Sequence, residues 1–305
     1  MSGALTLRFI TQSQIDLRRL TNELTDMQRQ MSTQKVAHDL QSLGGASSRL
    51  LNAKTLMAQA DSRNSVLGQL QARFGVQGAA LGQVSEAATL LSQSIREAIS
   101  ANDGRGIATE LSLSFDSIVG ALNETWNGQP MFAGERQGAG PVRISTLAEL
   151  QTAVSTDDMF DEATRHQVVD VGTGAPIVMA AKASELSEEL FNAMRDLQFL
   201  LGPDGIGQPI TNAQQSSLQS IADRLTAEAS KFTNEEGRAG QLQKRFEAES
   251  VRLTERSDLI KKEIGEQVDA DMGEVSMRLS ALTLQYEASA KTFAELSKLS
   301  LLNYL

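Results

Sequence analysis

Apolar residues recur at helical spacing at both ends of the chain. Near the N-terminus Ile10, Leu17, Leu20, Leu24, Met27 and Met31 follow one another at intervals of three, four or seven. Near the C-terminus Val268, Met272, Val275, Leu279, Leu282, Tyr286, Phe293 and Leu296 do the same, with only Ser289 interrupting. A stripe this narrow is the seam of a coiled coil, and a lone helix cannot bury it. The two seams therefore predict a pair of terminal helices that cover one another.

Between the seams the pattern changes twice. All five prolines (Pro130, Pro141, Pro176, Pro203 and Pro209) lie in one central window, so both arms are free of the residue that most reliably breaks helices. In the N-terminal arm the first heptad fades through Lys35 to Asp39, and Gly44-Gly45 marks a break. Leu67, Leu70, Phe74, Leu81, Val84, Ala88, Leu91 and Ile95 predict a second helix, and Asn102-Asp103-Gly104 a turn. Ile107, Leu111, Phe115, Ile118 and Leu122 predict a third, running to about Trp126 and stopped by Asn127-Gly128.

From Ala133 to about Ser184 the helical period disappears. Val142-Arg143-Ile144, residues 168–171 and residues 176–179 read as strands, and Thr146 with Glu149 as a capping box on a short helix. Ser184 is placed to cap a helix carrying Leu186, Leu190, Met194 and Leu197, which stops at Gly202-Pro203-Asp204-Gly205. Asn212 with Gln215 opens another, faced by Leu218, Ile221, Leu225 and Phe232, and the period continues through Leu242, Phe246, Leu253 and Ile260 into the terminal heptad. The expected fold is mainly α: an elongated helical bundle with paired terminal coiled-coil helices and a small β-containing central insertion. Its expected parts are a terminal coiled-coil assembly domain (1–44 with 263–305), a helical rod (45–134 with 184–262) and an outward-facing insertion (135–183).

Composition sharpens this picture. Of 305 residues, 41% are hydrophobic but only 4% aromatic, which favours long helices packed side by side over a ring-rich compact core. The absence of cysteine excludes disulfides and thiolate chemistry. No run approaches the ~18 apolar residues of a membrane span, and Met1-Ser2-Gly3-Ala4 lacks the basic start of a secretory signal. The net charge of −10 is uneven. Residues 1–127 hold 11 basic and 11 acidic side chains, 128–209 hold 5 and 12, and 210–305 hold 12 and 15. Nucleic-acid binding needs a basic face and is disfavoured. A neutral arm suits close packing among copies.

Catalytic and metal chemistry finds little support. His38 and His166 lie in different segments without cysteine or an HExxH pattern. Residues 202–207 have glycines but no Gly-Lys-Ser/Thr and no preceding strand, so they read as a helix-to-helix turn rather than a phosphate loop. Asp269-Ala270-Asp271 and Asp157-Asp158 with Asp161 lack the glycine and bidentate glutamate of a calcium loop. Asn123-Glu124-Thr125 matches a glycosylation triplet inside a predicted helix. The reading is a structural protein without cofactor, metal site or enzyme activity.

Three segments resemble the flagellin superfamily and, within it, the hook-filament junction proteins, the third of the bacterial hook-associated proteins. Asn127-Gly128-Gln129-Pro130-Met131-Phe132-Ala133-Gly134 is similar to the Asn-Gly and Phe-Ala-Gly segment that leaves the N-terminal helical half of that family; its matching residues are Asn127, Gly128, Phe132, Ala133 and Gly134. Residues 269–275 resemble the Asp-Ala-Asp stretch that opens the last helix of the superfamily. Residues 299–305 resemble the ending of junction proteins, where many flagellins finish in a basic residue. Residues 31–35 match the end of the first family helix with Gln34 in place of a glycine, and the Asp-Asp-Pro signature expected next is replaced by residues 41–47.

The resemblance implies a helical core with the terminal helices paired and a β-rich insertion outside. It also implies a structural adaptor exported through the flagellar type III channel to the extracellular flagellum. The implied partners are other copies of the chain, hook-associated protein 1, flagellin and an export chaperone, with no nucleic acid or membrane among them. A flagellin filament subunit shares the terminal heptads and the export route and is the alternative. On either reading the two seams form the assembly interface.

Overall fold

The computed structural model describes residues 2–36, 46–171 and 176–302; the expected break at Gly44-Gly45 lies outside them. Side-chain positions are described from residue 11 on, apart from residues 46, 267 and 296–302. The described residues are mostly helical, in the order α1 (Ser2–Thr33), α2 (Ala46–Ala101), α3 (Ile107–Leu122), β1 (Thr125–Trp126), β2 (Gln129–Pro130), α4 (Leu147–Thr152), α5 (Thr156–Met159), β3 (Val168–Val169), β4 (Ile177–Val178), α6 (Ala183–Leu201), α7 (Asn212–Val268) and α8 (Met272–Leu302). They form two compact units, residues 1–61 with 254–305 and residues 62–253. α2 and α7 each contribute to both.

In the unit of residues 62–253, α2 and α7 lie side by side through a repeated polar contact. The Ser85 hydroxyl donates to the Ala229 carbonyl at 2.9 Å and meets the Thr233 hydroxyl at 2.8 Å. One heptad on, Ser92 does the same with Ala222 and Thr226, both at 2.8 Å. Buried hydroxyls must find partners, and here each finds two on the facing helix, so the contacts fix the register of the pair as well as satisfying the polar atoms. Around them pack Leu81, Val84, Leu91 and Ile95 of α2, Ile107, Leu111, Phe115 and Ile118 of α3, Leu190, Phe191, Met194 and Leu197 of α6, and Leu218, Leu225 and Phe232 of α7. Phe74 and Phe246, at 5.6 Å between ring centres, extend the α2–α7 contact.

The segment 135–183 packs into the same core. Val142, Ile144, Leu150, Met159 and Phe160 are buried in it, and the Phe160 ring lies 5.7 Å from that of Phe191. The expected strand at 142–144 is reduced to a single bridge, Val142 to Phe160. The other two expected strands pair antiparallel, Val168 with Val178 and Val169 with Ile177.

Several helix ends differ from expectation. α3 stops at Leu122 rather than near Trp126, because Thr125 and Trp126 pair with Pro130 and Gln129. Asn127 (φ 53°) and Gly128 (φ 76°) are both left-handed and make the two-residue turn of that hairpin, so they close a ribbon instead of a helix. Asn123 turns its side chain on Val142, accepting from its N–H at 2.9 Å and donating to its carbonyl at 3.2 Å.

The expected caps lie one or two residues off. α6 begins at Ala183, with the Glu185 carboxylate on the Lys182 N–H, while the expected cap Ser184 bonds Glu162. α7 is capped reciprocally by Thr211 and Gln214 rather than by Asn212 and Gln215. Before α4, Thr146 accepts from the Glu149 N–H as expected, and the Glu149 carboxylate bonds Ser145. Each shift leaves the helix in place, because the apolar period defines its body and only local side-chain geometry selects its first residue.

Replacing Phe160 by alanine removes a ring that touches both the 135–183 segment and α6, and is expected to cost about 3 to 5 kcal/mol. Excision of residues 136–182 should lower the midpoint further. Thermal melts followed by circular dichroism will check both.

Candidate assembly interface

The terminal helices α1 and α8 pack against one another in the unit of residues 1–61 and 254–305. Their seam residues are covered to different degrees. Leu20 (2% exposed) and Val275 (5%) are buried; Leu17, Leu24, Met27, Met272, Leu279, Leu282 and Phe293 are half-buried. Met31 and Tyr286 are exposed, and the side chains of Ile10 and Leu296 lie outside the described ones. Val268 is half-buried as the last residue of α7, so the C-terminal heptad is carried by two helices rather than one. Ile15 (55% exposed), Met277 (70%) and Leu284 (70%) add open apolar surface to the same pair.

Two of the family-like segments meet where these helices begin and end. α1 is closed by Gln34, which adopts φ 57° and donates its N–H to the Gln30 carbonyl at 2.8 Å. This is the left-handed position that usually ends a helix with glycine, so the departure from the family pattern at Gln34 changes the residue and keeps the turn. The chain then pairs across to the α7–α8 junction. The Ala270 N–H donates to the Gln34 carbonyl at 3.0 Å and the Val36 N–H to the Val268 carbonyl at 2.8 Å, making an antiparallel bridge of Lys35 with Asp269.

The three residues of the Asp-Ala-Asp stretch therefore have separate tasks. Asp269 pairs with the Lys35 ammonium. Ala270 supplies the backbone donor. Asp271 caps α8, accepting from the N–H groups of Gly273 at 2.8 Å and Glu274 at 3.1 Å. Periodicity alone did not place this bridge; the usable signal was the coincidence of a helix-ending pattern at 31–35 with a helix-starting one at 269–275.

The side chains of residues 299–305 lie outside the described ones, and the segment 127–134 lies in the unit of residues 62–253. Asn127 and Gly128 form the exposed hairpin turn described above, and Phe132, Ala133 and Gly134 are buried. Phe132 accepts from the Ala183 N–H at the start of α6 and Ala133 from the Ala163 N–H, both at 2.9 Å. Gly134 has φ 65°, and a Cβ there would stand 2.4 Å from the Arg165 carbonyl oxygen. Its conservative replacement is therefore blocked by conformation and by contact. These residues anchor the 135–183 segment and take no part in the α1–α8 pairing.

Asp158 and Asp161 of the acidic cluster considered for cations are also engaged. Asp158 accepts from the N–H groups of Val154 and Ser155, which hold its carboxyl below the usual range together with the Ser155 hydroxyl. Asp161 pairs with Arg136 at 2.6 Å, and His166 with Glu185 at 2.8 Å. His38 lies outside the described residues. Among the described residues no group of three His, Cys, Asp or Glu is placed to hold a metal ion, and no helix is long and apolar enough to cross a membrane.

Comparison with known proteins bears on the same region. Residues 222–305 match the family model of the bacterial flagellin C-terminal helical region, which spans the C-terminal seam and the Asp269–Asp271 junction. No curated protein matches the chain. Among solved structures, one assigned as a flagellar hook-associated protein of Vibrio parahaemolyticus is similar, with a TM-score of 0.58 and 16% identity over 73% of this chain and 97% of that one. FlgL of Bacillus cereus has a TM-score of 0.55 and 13% identity, covering 70% of this chain and all of that one. The fold is thus flagellin-like. The resemblance to the flagellin superfamily and its hook-associated members stands on this fold and on the C-terminal match.

Gln34→Gly is expected to strengthen the end of α1, since a side chain at a left-handed position costs about 1 to 2 kcal/mol and the added freedom of the unfolded chain returns only part of that. A stability gain of roughly 0.5 to 1 kcal/mol, read as slower hydrogen exchange at the Ala270 amide, is the expected result. Gly134→Ala, in the other unit, should cost about 2 kcal/mol or more through strain and contact and lower the melting midpoint.

Proposed function

We propose that this chain is a structural adaptor of the bacterial flagellum, joining the hook, through hook-associated protein 1, to the flagellin filament. The observation that carries the reading is the pairing of α1 with α8 through a flagellin-type C-terminal region, in a fold shared with two hook-associated structures. The seams from Ile10 to Met31 and from Val268 to Leu296 are its proposed assembly interface, with residues 1–44 and 263–305 as the assembly domain. Residues 45–134 with 184–262 are the proposed rod, and residues 135–183 the outward-facing part.

Half-covered seams give this reading a mechanism. Within one chain Leu24, Leu279 and Leu282 are only partly shielded, and Met277 and Leu284 stand open. Burying them against neighbouring copies and against the proteins above and below would contribute about 25 cal/mol per Å², less the cost of ordering the helices. Helix stability in water comes mostly from packing of the apolar face, and these faces are only partly covered within one chain, so assembly and full ordering of the termini are coupled. Export through the type III channel and protection by a chaperone belong to the same reading, because open seams invite premature association. The filament-subunit reading draws on the same C-terminal match.

Antibody labelling of isolated flagella separates the two. Signal confined to the hook–filament boundary is expected; label along the filament would replace the adaptor by the filament subunit. A second outcome is expected from Leu24→Asp or Leu279→Asp, each of which puts a charge into a seam and costs several kcal/mol, of order 3 to 5, once the site is dry. Incorporation into flagella should fail, while melting of the free chain changes by no more than a degree or two. A fall of many degrees in the free chain would instead make the seams an ordinary intramolecular core.

A further inference from the structure

The apolar side chains of the terminal helices do not by themselves define one alignment. A slip of one heptad along α1 replaces Leu17 by Leu24, Leu20 by Met27 and Leu24 by Met31; along α8 it replaces Val275 by Leu282 and Leu279 by Tyr286. Apart from Leu282, whose place Ser289 would take, each slipped pairing again sets apolar on apolar, so packing discriminates weakly between registers. Among the described residues neither seam offers a buried polar side chain of the kind that fixes register between α2 and α7.

The bridge beside these helices has the property the seams lack. α1 runs into it and α8 runs out of it, so whatever it aligns is passed to both helices at once. Its two backbone bonds, Ala270 N–H to Gln34 and Val36 N–H to Val268, cannot be remade after a slip without breaking the left-handed turn at Gln34 or the Asp271 cap. The Gln30 amide adds a bond to the Val36 carbonyl at 3.2 Å, tying the strap to the last turn of α1. The Lys35–Asp269 pair is half-exposed on both sides, and exposed pairs of this kind contribute little. The backbone bonds are therefore the part that matters.

We propose that the bridge of residues 34–36 with 268–270 is a register latch: it selects one alignment of α1 against α8 from a set of heptad-slipped alternatives. The latch determines which apolar side chains are left on the open face of the pair. It deepens the assembly reading of these seams, yet it operates within a single free chain, so it can fail while flagellar labelling still succeeds.

The chain has no cysteine, so introduced pairs report alignment without interference. With Thr21→Cys on an exposed position of α1 and a second cysteine scanned one position at a time over residues 277–291, intramolecular cross-linking of the dilute full-length protein is expected to peak at one helical face and one level. Val36→Pro and Ala270→Pro each delete one latch bond outside the helices. In either variant a second peak seven residues away is expected, with the ratio of main to slipped product falling at least fivefold.

Lys35→Ala should keep the single peak. An unchanged single peak in both proline variants would overturn the latch in favour of side-chain packing. Two peaks in the parent would overturn it as well. Loss of all cross-links together with helical circular dichroism would overturn it in favour of a simple stability role.

Discussion

The constraint on which the larger unit depends is the close apposition of α2 with α7, two helices whose contacting residues are about 130 to 150 positions apart in the chain. Ser85 and Ser92 reach the carbonyls of Ala229 and Ala222, and the matching threonines reach back. A hydroxyl can replace water in such an interior only if a partner is waiting at the right depth, and a one-heptad slip would leave one serine without its alanine–threonine pair, so the two contacts together are satisfied in one register alone. Once that register is set, α3 and α6 have a fixed apolar trough to fill, and Phe115, Phe160 and Phe191 bring the segment 135–183 onto it.

The terminal pair follows a different logic. Its side chains are mostly interchangeable aliphatic residues, and their partial cover leaves apolar surface available. What α2 and α7 achieve with buried hydroxyls, α1 and α8 achieve with backbone hydrogen bonds at one end. A helix pair aligned from one end can keep an unfinished apolar face, because none of its seam positions must be given over to polar side chains. That combination suits a surface whose remaining cover comes from other molecules.

The bodies of the long helices were legible in the sequence because the 3.6-residue period persists through them: Leu67 to Ile95, Ile107 to Leu122 and Leu218 to Phe232 all face the core. The ends were less so. Ser184 and Asn212 are good capping residues, but Lys182 and Thr211 hold those places, since the deciding bonds come from Glu185 and Gln214 and depend on the approach of the preceding loop. Asn127-Gly128 carried a signal compatible with a helix stop or a hairpin, and the pairing of Thr125–Trp126 with Gln129–Pro130 decided it. Seam membership was readable, whereas the degree of cover was not. Leu20 and Tyr286 have equal standing in the pattern and opposite exposure, because cover depends on what lies opposite.

One small contact has a consequence for covalent chemistry. The Asn123 side chain uses both its carbonyl and its amide on the backbone of Val142, closing a ring between the end of α3 and the start of the irregular segment. That asparagine is also the first residue of the triplet Asn123-Glu124-Thr125. An N-linked sugar would have to be built on the nitrogen that now donates to Val142, on a side chain that is half-buried. Glycosylating the folded protein would require this ring to open first, so the triplet is masked by the same contact that ties the two stretches of chain together.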